Sequence, residues 1–246
     1  MENFMEKSSL NENRLKYFQE LEERIDYKFS NIELLSIALT HRSYVNENPS
    51  PPLADNERFE FLGDAVLGLC VSDLLINKYA DFSEGTLSKI RAGIVTEKPL
   101  AELASSLQLG DCLLLGKGEE NSGGRTKDSL LANALEALIA AIYLDAGFIA
   151  VKNILEILLT SLLADSALLS QSFDYKTALQ EICQKKYKIV PVYTIIDASG
   201  PDHAKVFEVQ VTVADKMLQI GCGKSKKEAE KQAAQKAWEI LQVEEN

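Results

Sequence analysis

The sequence predicts an α+β chain in two parts, an all-helical region followed by a small α-β-β-β-α domain. Three observations carry this. Up to residue 173 apolar residues recur at helical spacing, with almost no strand-like alternation. From 174 onward the pattern changes: 191–199, 205–215 and 216–223 alternate or are rich in β-branched residues, and helical stretches at 176–186 and 225–241 flank them. Between the two lies DSALLSQSFD (165–174), short and serine-rich, which reads as a linker. The boundaries expected are 13–147 for the helical domain, extendable to about 164, and 174–243 for the second domain.

The helical region starts with the amphipathic stretch LKYFQELEERIDY, then NIELLSIALTHRSY (31–44), with Asn31 as N-cap. NENPSPPLAD (46–55) holds three prolines and reads as a loop. Helices follow over about 56–78, 83–107, 128–144 and 148–164, and five glycines between 110 and 124 mark a loop before the third of these. In the second part, Asp215-Lys216 is a tight-turn candidate, and Ala229, Ala233, Ala237 and Ile240 form one apolar stripe of the last helix. No internal repeat is present.

At 246 residues and 46% apolar content the chain can bury proper cores. The opening MENFMEKSSL lacks an apolar run after basic residues, so no signal peptide is expected. The longest apolar stretch contains Asn133 and Glu136 and is too short to predict a membrane span. Cys70, Cys112, Cys183 and Cys222 are scattered without a CxxC pair, the pattern of reduced thiols in a cytoplasmic protein, with three of them expected buried or half-buried. The net charge of −11 argues against a nucleic-acid partner until its distribution is considered. Residues 1–173 carry 15 basic and 26 acidic side chains; residues 174–246 carry 11 of each. The first part would repel a polyanion unless cations neutralise it or another module brings the polyanion in.

The stretch NERFEFLGDAVL (56–67) places Glu57, Glu60 and Asp64 at i, i+3 and i+7, within an arc of about 60° on a helix. Phe59, Leu62, Val66 and Leu69 have core spacing on the opposite side. Gly63 removes a side chain where another backbone, or a substrate, could approach closely. A second helix, SLLANALEALIAAIYL (129–144), carries Glu136 as its only charge, with Asn133 three residues earlier on the same face. A carboxylate on an apolar helix is costly unless a positive charge meets it. Two helices presenting acids inward point to a divalent cation held by oxygen ligands. The glycine-rich loop GKGEENSGGRTKDS (116–129) lacks the GxxxxGK[ST] order, so no nucleotide cofactor is expected, and no Cys or His spacing suggests zinc. His41 is expected as a packed, hydrogen-bonded residue.

These blocks resemble one family. NERFEFLGDAVL, with ALTHRSY (38–44), SEGTLSKIRA (83–92) and GGRTKDSLLANALEALIAAIYLD (123–145), is similar in order and spacing to the bacterial ribonuclease III endonuclease domain. DYKTALQE (174–181), PVY (191–193), GPDHAKVF (200–207) and GCGKSKKEAEKQAA (221–234) resemble a double-stranded-RNA-binding domain. The resemblance implies an all-helical nuclease domain and a homodimeric, Mg²⁺-dependent hydrolase, with Mn²⁺ able to substitute. Its substrate would be both strands of RNA duplexes, cut to 5′-phosphate and 3′-hydroxyl ends with a short 3′ overhang. It further implies processing of ribosomal RNA precursors and of some messenger and transfer RNAs. The family's catalytic acids fall on Glu60, Asp64 and Glu136. Glu60, Asn133 and Glu136 would be metal ligands, with Asp64 and Glu136 catalytic. Asn133 stands where the family most often has Asp, so the site offers one charge fewer. Glu57 and Glu84 match acids lining the dimer valley, and Arg125 and Lys127 could reach RNA phosphates or belong to a mobile solvated loop.

A-form RNA hides its bases, so such a domain reads shape, 2′-hydroxyls and phosphates. Here Thr177, Gln180 and Glu181 would enter one minor groove and His203 the next. Lys224, Ser225, Lys226 and Lys227 would meet phosphates at a helix start. Where many such domains carry a third lysine, this chain has Glu230, with Lys231 beside it.

Overall fold

A computed structural model describes residues 12–50, 52–80, 82–163, 174–201, 205–213 and 216–243. The chain divides into two compact units, Met1–Ser172 and Phe173–Asn246. Apart from Asp174, the expected linker lies outside the described residues, as do His203 and Asp215.

The first unit is helical: α1 (Glu12–Arg24), α2 (Ile32–Ala38), α3 (Arg42–Glu47), α4 (Glu57–Lys78), α5 (Glu84–Ile94), α6 (Glu97–Ser106), α7 (Leu109–Cys112), α8 (Lys117–Asn121), a 3-10 turn (Gly124–Thr126), α9 (Asp128–Leu158) and α10 (Thr160–Leu163). Asn31 caps α2, its side chain accepting from the Glu33 N–H, as its position predicts. The single helix expected over 31–44 is two. It breaks where Thr40 bridges to Leu114 and the Asn56 N–H donates to the Thr40 carbonyl. Likewise 83–107 divides at Val95 and Thr96 into α5 and α6. The stretch 109–126, expected as loop, holds α7, α8 and the 3-10 turn.

The axis of this unit is α9, which packs along α4 and against α6 and α2. By length and apolarity α9 would suffice to cross a membrane, yet half of its most apolar stretch is buried inside the unit. It bends at Gly147, whose φ of 79° is readily adopted only by glycine, in the gap expected between two helices. Beyond the bend Val151, Ile154, Leu155, Leu159 and Leu163 join the same core. Asp145 secures the other side, accepting from the Tyr27 hydroxyl at 2.6 Å and from the Ser30 and Asn31 N–H groups.

The second unit packs α11 (Tyr175–Tyr187) and α12 (Lys226–Val243) on a three-stranded antiparallel sheet, in order β1 (Val192–Ser199), β2 (Val206–Val213), β3 (Lys216–Gly223). Val209, Val211 and Val213 alternate into its core, where Leu179, Cys183, Ala233, Ala234 and Ala237 meet them. Gly221 lies against α12: a Cβ there would stand 2.2 Å from the Ala229 carbonyl oxygen. Cys70, Cys112 and Cys183 are buried and Cys222 is exposed; all are free thiols.

Arg125 and Lys127 have local roles instead of facing open solvent. Arg125 donates to the carbonyls of Gly110 at 2.6 Å and Leu113 at 3.1 Å, and pairs with Glu120. Lys127 pairs with Glu119. Removing a charged donor leaves partly buried carbonyls unpaired, so Arg125→Met should destabilise the helical unit by about 2 kcal/mol. A melting-temperature drop of about 4–8 °C is expected by scanning calorimetry. An unchanged transition would show that this fork does not hold the loop.

Candidate functional site

The acids of α4 meet those of α9 because the two helices touch backbone to backbone. A Cβ built at Gly63 would lie 1.8 Å from the Glu136 carbonyl oxygen. Only glycine permits that approach, and it stands one residue from Asp64 and three from Glu60. Asn56 fixes the start of α4. It is buried, and its amide donates to the Ala38 carbonyl at 3.2 Å. The Asp55 carboxylate accepts from the Glu57 N–H.

The buried face of α4 is Gly63, Val66, Leu67, Cys70, Val71, Leu74 and Leu75. Leu69, expected in the core, is 59% exposed and shares an outward stripe with Ile76 and with Phe61, which is 82% exposed. Phe59, Leu62 and Val66 pack into the core as expected, and Leu69 alone of that set turns to the solvent side.

Glu57, Glu60, Phe61, Asp64 and Glu136 line one open cleft of about 390 Å³. Asn133 hydrogen-bonds the Glu60 carboxylate. Glu57 sits at the rim, paired at 2.6 Å with Arg42 of its own chain in a largely exposed bridge. Glu84 lies elsewhere, at the start of α5. It accepts from the Ser88 hydroxyl and lines a second cleft with Ser72, Leu75, Ile76, Leu87 and Arg91. His41 caps α3 and contacts the Ser43 hydroxyl at 2.8 Å, the packed arrangement expected of it.

Burial and crowding set the electrostatics. The Glu136 carboxyl is pushed up to about 7, first by burial and then by Asp64 and Glu60. Burial and Glu57 also raise Glu60, against the lowering effect of the Asn133 hydrogen bond. Carboxylates that disfavour one another's charge suit a cation, and among the described residues no Lys or Arg lines this cleft. Among the described residues no three acidic or other ligating side chains already converge on one point. An open oxygen set of this kind fits Mg²⁺, which keeps several waters, better than a closed cage.

In the second unit Thr177, Gln180 and Glu181 are exposed along α11, with Asp174 capping its start by accepting from the Thr177 N–H. Lys224, Ser225, Lys226 and Lys227 are exposed at the start of α12. Ser225 has a structural part as well, since its hydroxyl accepts from the Glu228 N–H while Glu228 accepts from the Lys224 N–H.

The ribonuclease-III-like family description matches residues 31–176, and the double-stranded RNA binding motif matches 175–241. The chain belongs to the ribonuclease III family of double-strand-specific endoribonucleases. Ribonuclease 3 of Syntrophobacter fumaroxidans is 48% identical over 225 residues, covering 90% of this chain and 93% of that one. Ribonuclease 3 of Geobacter sulfurreducens is 46% identical over 91% of this chain and 90% of its own. A solved nuclease domain of the Campylobacter jejuni ribonuclease III is 46% identical and matches with a TM-score of 0.55, covering 58% of this chain and 96% of that one. That structure is described as having flexibility in a region involved in dimer formation.

Gly63 makes the close backbone approach expected of it, whereas Phe61 lines the cleft without having been expected there. The signal for Phe61 was present, however: a large aromatic directly after Glu60, outside the core spacing of its helix.

Two outcomes follow from this geometry. Gly63→Ala should push α4 from α9, costing about 3 kcal/mol or more and removing cleavage. Chemical denaturation with a cleavage assay checks both, and a fully active, equally stable variant would contradict the contact. The second concerns pH. Because the Glu136 carboxyl sits at about 7 against an ordinary 4.5, the metal-free fold holds a proton that the unfolded chain has lost within that window. Its contribution to stability is therefore full below the lower value and is lost as pH rises through the upper one. Cation binding needs the carboxylate, so at about pH 6 Mg²⁺ uptake should release a proton. Titration calorimetry in two buffers of different ionisation heat measures it; identical heats would rule it out.

Proposed function

We propose that the cleft between α4 and α9 is where this ribonuclease III hydrolyses phosphodiesters of duplex RNA with Mg²⁺, Mn²⁺ being able to substitute. The observation that carries this is the meeting of Glu60, Asp64 and Glu136 in one cleft, with the Glu136 carboxyl held at about 7. Glu60 and Glu136, with the carbonyl oxygen of Asn133, would hold the ion. Bound Mg²⁺ supplies a more acidic water and neutralises charge on the scissile phosphate. Asp64, at the same cleft, orients the attacking water and takes its proton. Glu57, tethered by Arg42, bounds the cleft and adds negative potential at its rim. Glu84 serves the neighbouring surface in place of the ion site.

The exposed stripe of Phe61, Leu69 and Ile76 supports a homodimer in which it is covered by a second copy. The description of the Campylobacter jejuni nuclease domain favours the same reading. Two copies would give one site for each strand of the duplex. The products would be 5′-phosphate and 3′-hydroxyl ends with short 3′ overhangs, and the substrates precursors of ribosomal RNA together with some messenger and transfer RNAs. Thr177, Gln180 and Glu181 would enter a minor groove, and Lys224, Ser225, Lys226 and Lys227 would meet phosphates.

A long RNA duplex incubated with the protein and Mg²⁺ tests the assignment. Wild type should cut it, and Glu136→Ala should lower the rate by at least about 10³-fold while duplex affinity without metal is unchanged. Cleavage by the variant at the wild-type rate would remove Glu136 from the site.

A further inference from the structure

We propose that Lys176 and Glu230 are positioning residues that set the distance between the two RNA-facing elements of the second unit. The inference rests on the RNA face proposed above and deepens it. Glu230 occupies the place where many such domains carry a lysine, and on sequence alone it reads as a charge that would repel phosphate. The structure turns it elsewhere. Its Oε2 lies 2.7 Å from the Lys176 Nζ, joining α12 to α11. The same ammonium stands 4.5 Å from the centre of the Tyr193 ring on β1. One lysine thus ties both helices to the sheet. The Glu230 side chain is only 29% exposed, and the Tyr193 hydroxyl beneath is buried without a hydrogen-bond partner. The cluster is therefore partly desolvated, where an ion pair holds its geometry better than on an open surface.

Its location gives the tie a consequence. Lys176 immediately precedes Thr177, the first residue of the exposed face of α11. Glu230 lies one turn into α12, after the exposed Lys226 and Lys227. A duplex presents a minor groove and the flanking phosphates at a fixed A-form spacing. The shared core of Leu179, Cys183, Ala233 and Ala237 holds the two helices together, and the ion pair fixes the remaining register of their exposed faces. Glu230 therefore aids binding by fixing the frame, although its own charge is of the wrong sign for RNA.

The two readings of Glu230 predict opposite signs. If it repels phosphate, Glu230→Gln tightens duplex binding. If it positions the helices, Glu230→Gln weakens binding roughly threefold to tenfold. It should also raise the KM for duplex cleavage without changing kcat. Lys176→Gln should weaken binding to the same extent with the salt dependence of affinity unchanged, the behaviour of a lysine that pairs with Glu230 and not with phosphate. The exchanged pair Lys176→Glu with Glu230→Lys should regain most of the loss, and Lys176→Arg should stay near wild type. Affinities are measured on the full chain without metal, and far-ultraviolet dichroism reports whether each variant folds. Tighter or unchanged binding by Glu230→Gln overturns the proposal. So does a reduced salt slope for Lys176→Gln, or failure of the exchanged pair with its fold intact. If the single variants do not fold, the exchanged pair and Lys176→Arg decide it. Undiminished binding by Lys226→Ala with Lys227→Ala would instead sink the underlying RNA-face reading.

Discussion

The contact between the backbones of α4 and α9 at Gly63 is the constraint on which the nuclease unit depends. With the Glu136 carbonyl where a Cβ would otherwise sit, the two helices run closer than side chains normally permit. Small residues on α9 accompany its close neighbours: Ala134, Ala137, Ala140 and Ala141 are all fully buried, Ala137 and Ala141 against Ala38 of α2. The close approach at Gly63 explains the acids. Only at this separation can a cleft be lined by Glu60 and Asp64 from one helix and Glu136 from the other. The same closeness makes each carboxylate raise the proton affinity of its neighbours. The fold thus stores electrostatic repulsion, and the glycine that permits the packing is also what brings the acids together.

Net charge misleads for a chain of this kind because screening makes electrostatics local. At physiological salt the Debye length is about 8 Å, so a phosphate responds to nearby groups more than to the total. The acidic surplus lies in residues 1–173, while the second unit is balanced. Within that unit Lys224, Lys226 and Lys227 are exposed at one helix start, whereas Glu228 is engaged in capping it and Glu230 in holding Lys176. Glu228 thus stays at the helix start beside Lys224, while Glu230 is drawn away to Lys176. A neutral composition can still offer a phosphate one sign of charge.

Much of this was legible in the sequence, and the limits have physical causes. The long helices were readable because their apolar period is strong, and Asn31 was readable as a cap because its requirement is local. The acids of the cleft were readable because charge on an apolar helix is conspicuous. What escaped depended on partners distant in sequence. The break at Thr40 follows from a bridge to Leu114, which no local pattern announces. Leu69 has core spacing with Val66 and Leu62, yet Gly63 draws a neighbouring face inward and turns Leu69 out. Arg125 looked like a basic residue on a flexible loop, but its guanidinium gathers carbonyls from 110 and 113, which only the folded chain brings near. A residue's type was enough where its role was intrinsic, and insufficient where the role was assigned by what packs against it.

Asn133 illustrates how a departure from the family's usual residue can fit such a site. An aspartate there would add a fifth negative group at a cleft where burial and neighbours already push Glu60 and Glu136 toward their protonated forms. An amide adds none, and it does something an aspartate could not do while ionised: it donates to the Glu60 carboxylate and favours its charged form. Its carbonyl oxygen remains available as a neutral ligand. The exchange therefore trades attraction for a cation against repulsion among the acids, and both terms act on the same occupied and unoccupied states. Since the repulsion is relieved only when the cation is bound, removing a charge lowers the cost of the empty cleft as well as the gain on filling it. Relative to an aspartate, the amide leaves less repulsion among the acids and a more readily ionised Glu60, at the expense of attraction for a cation.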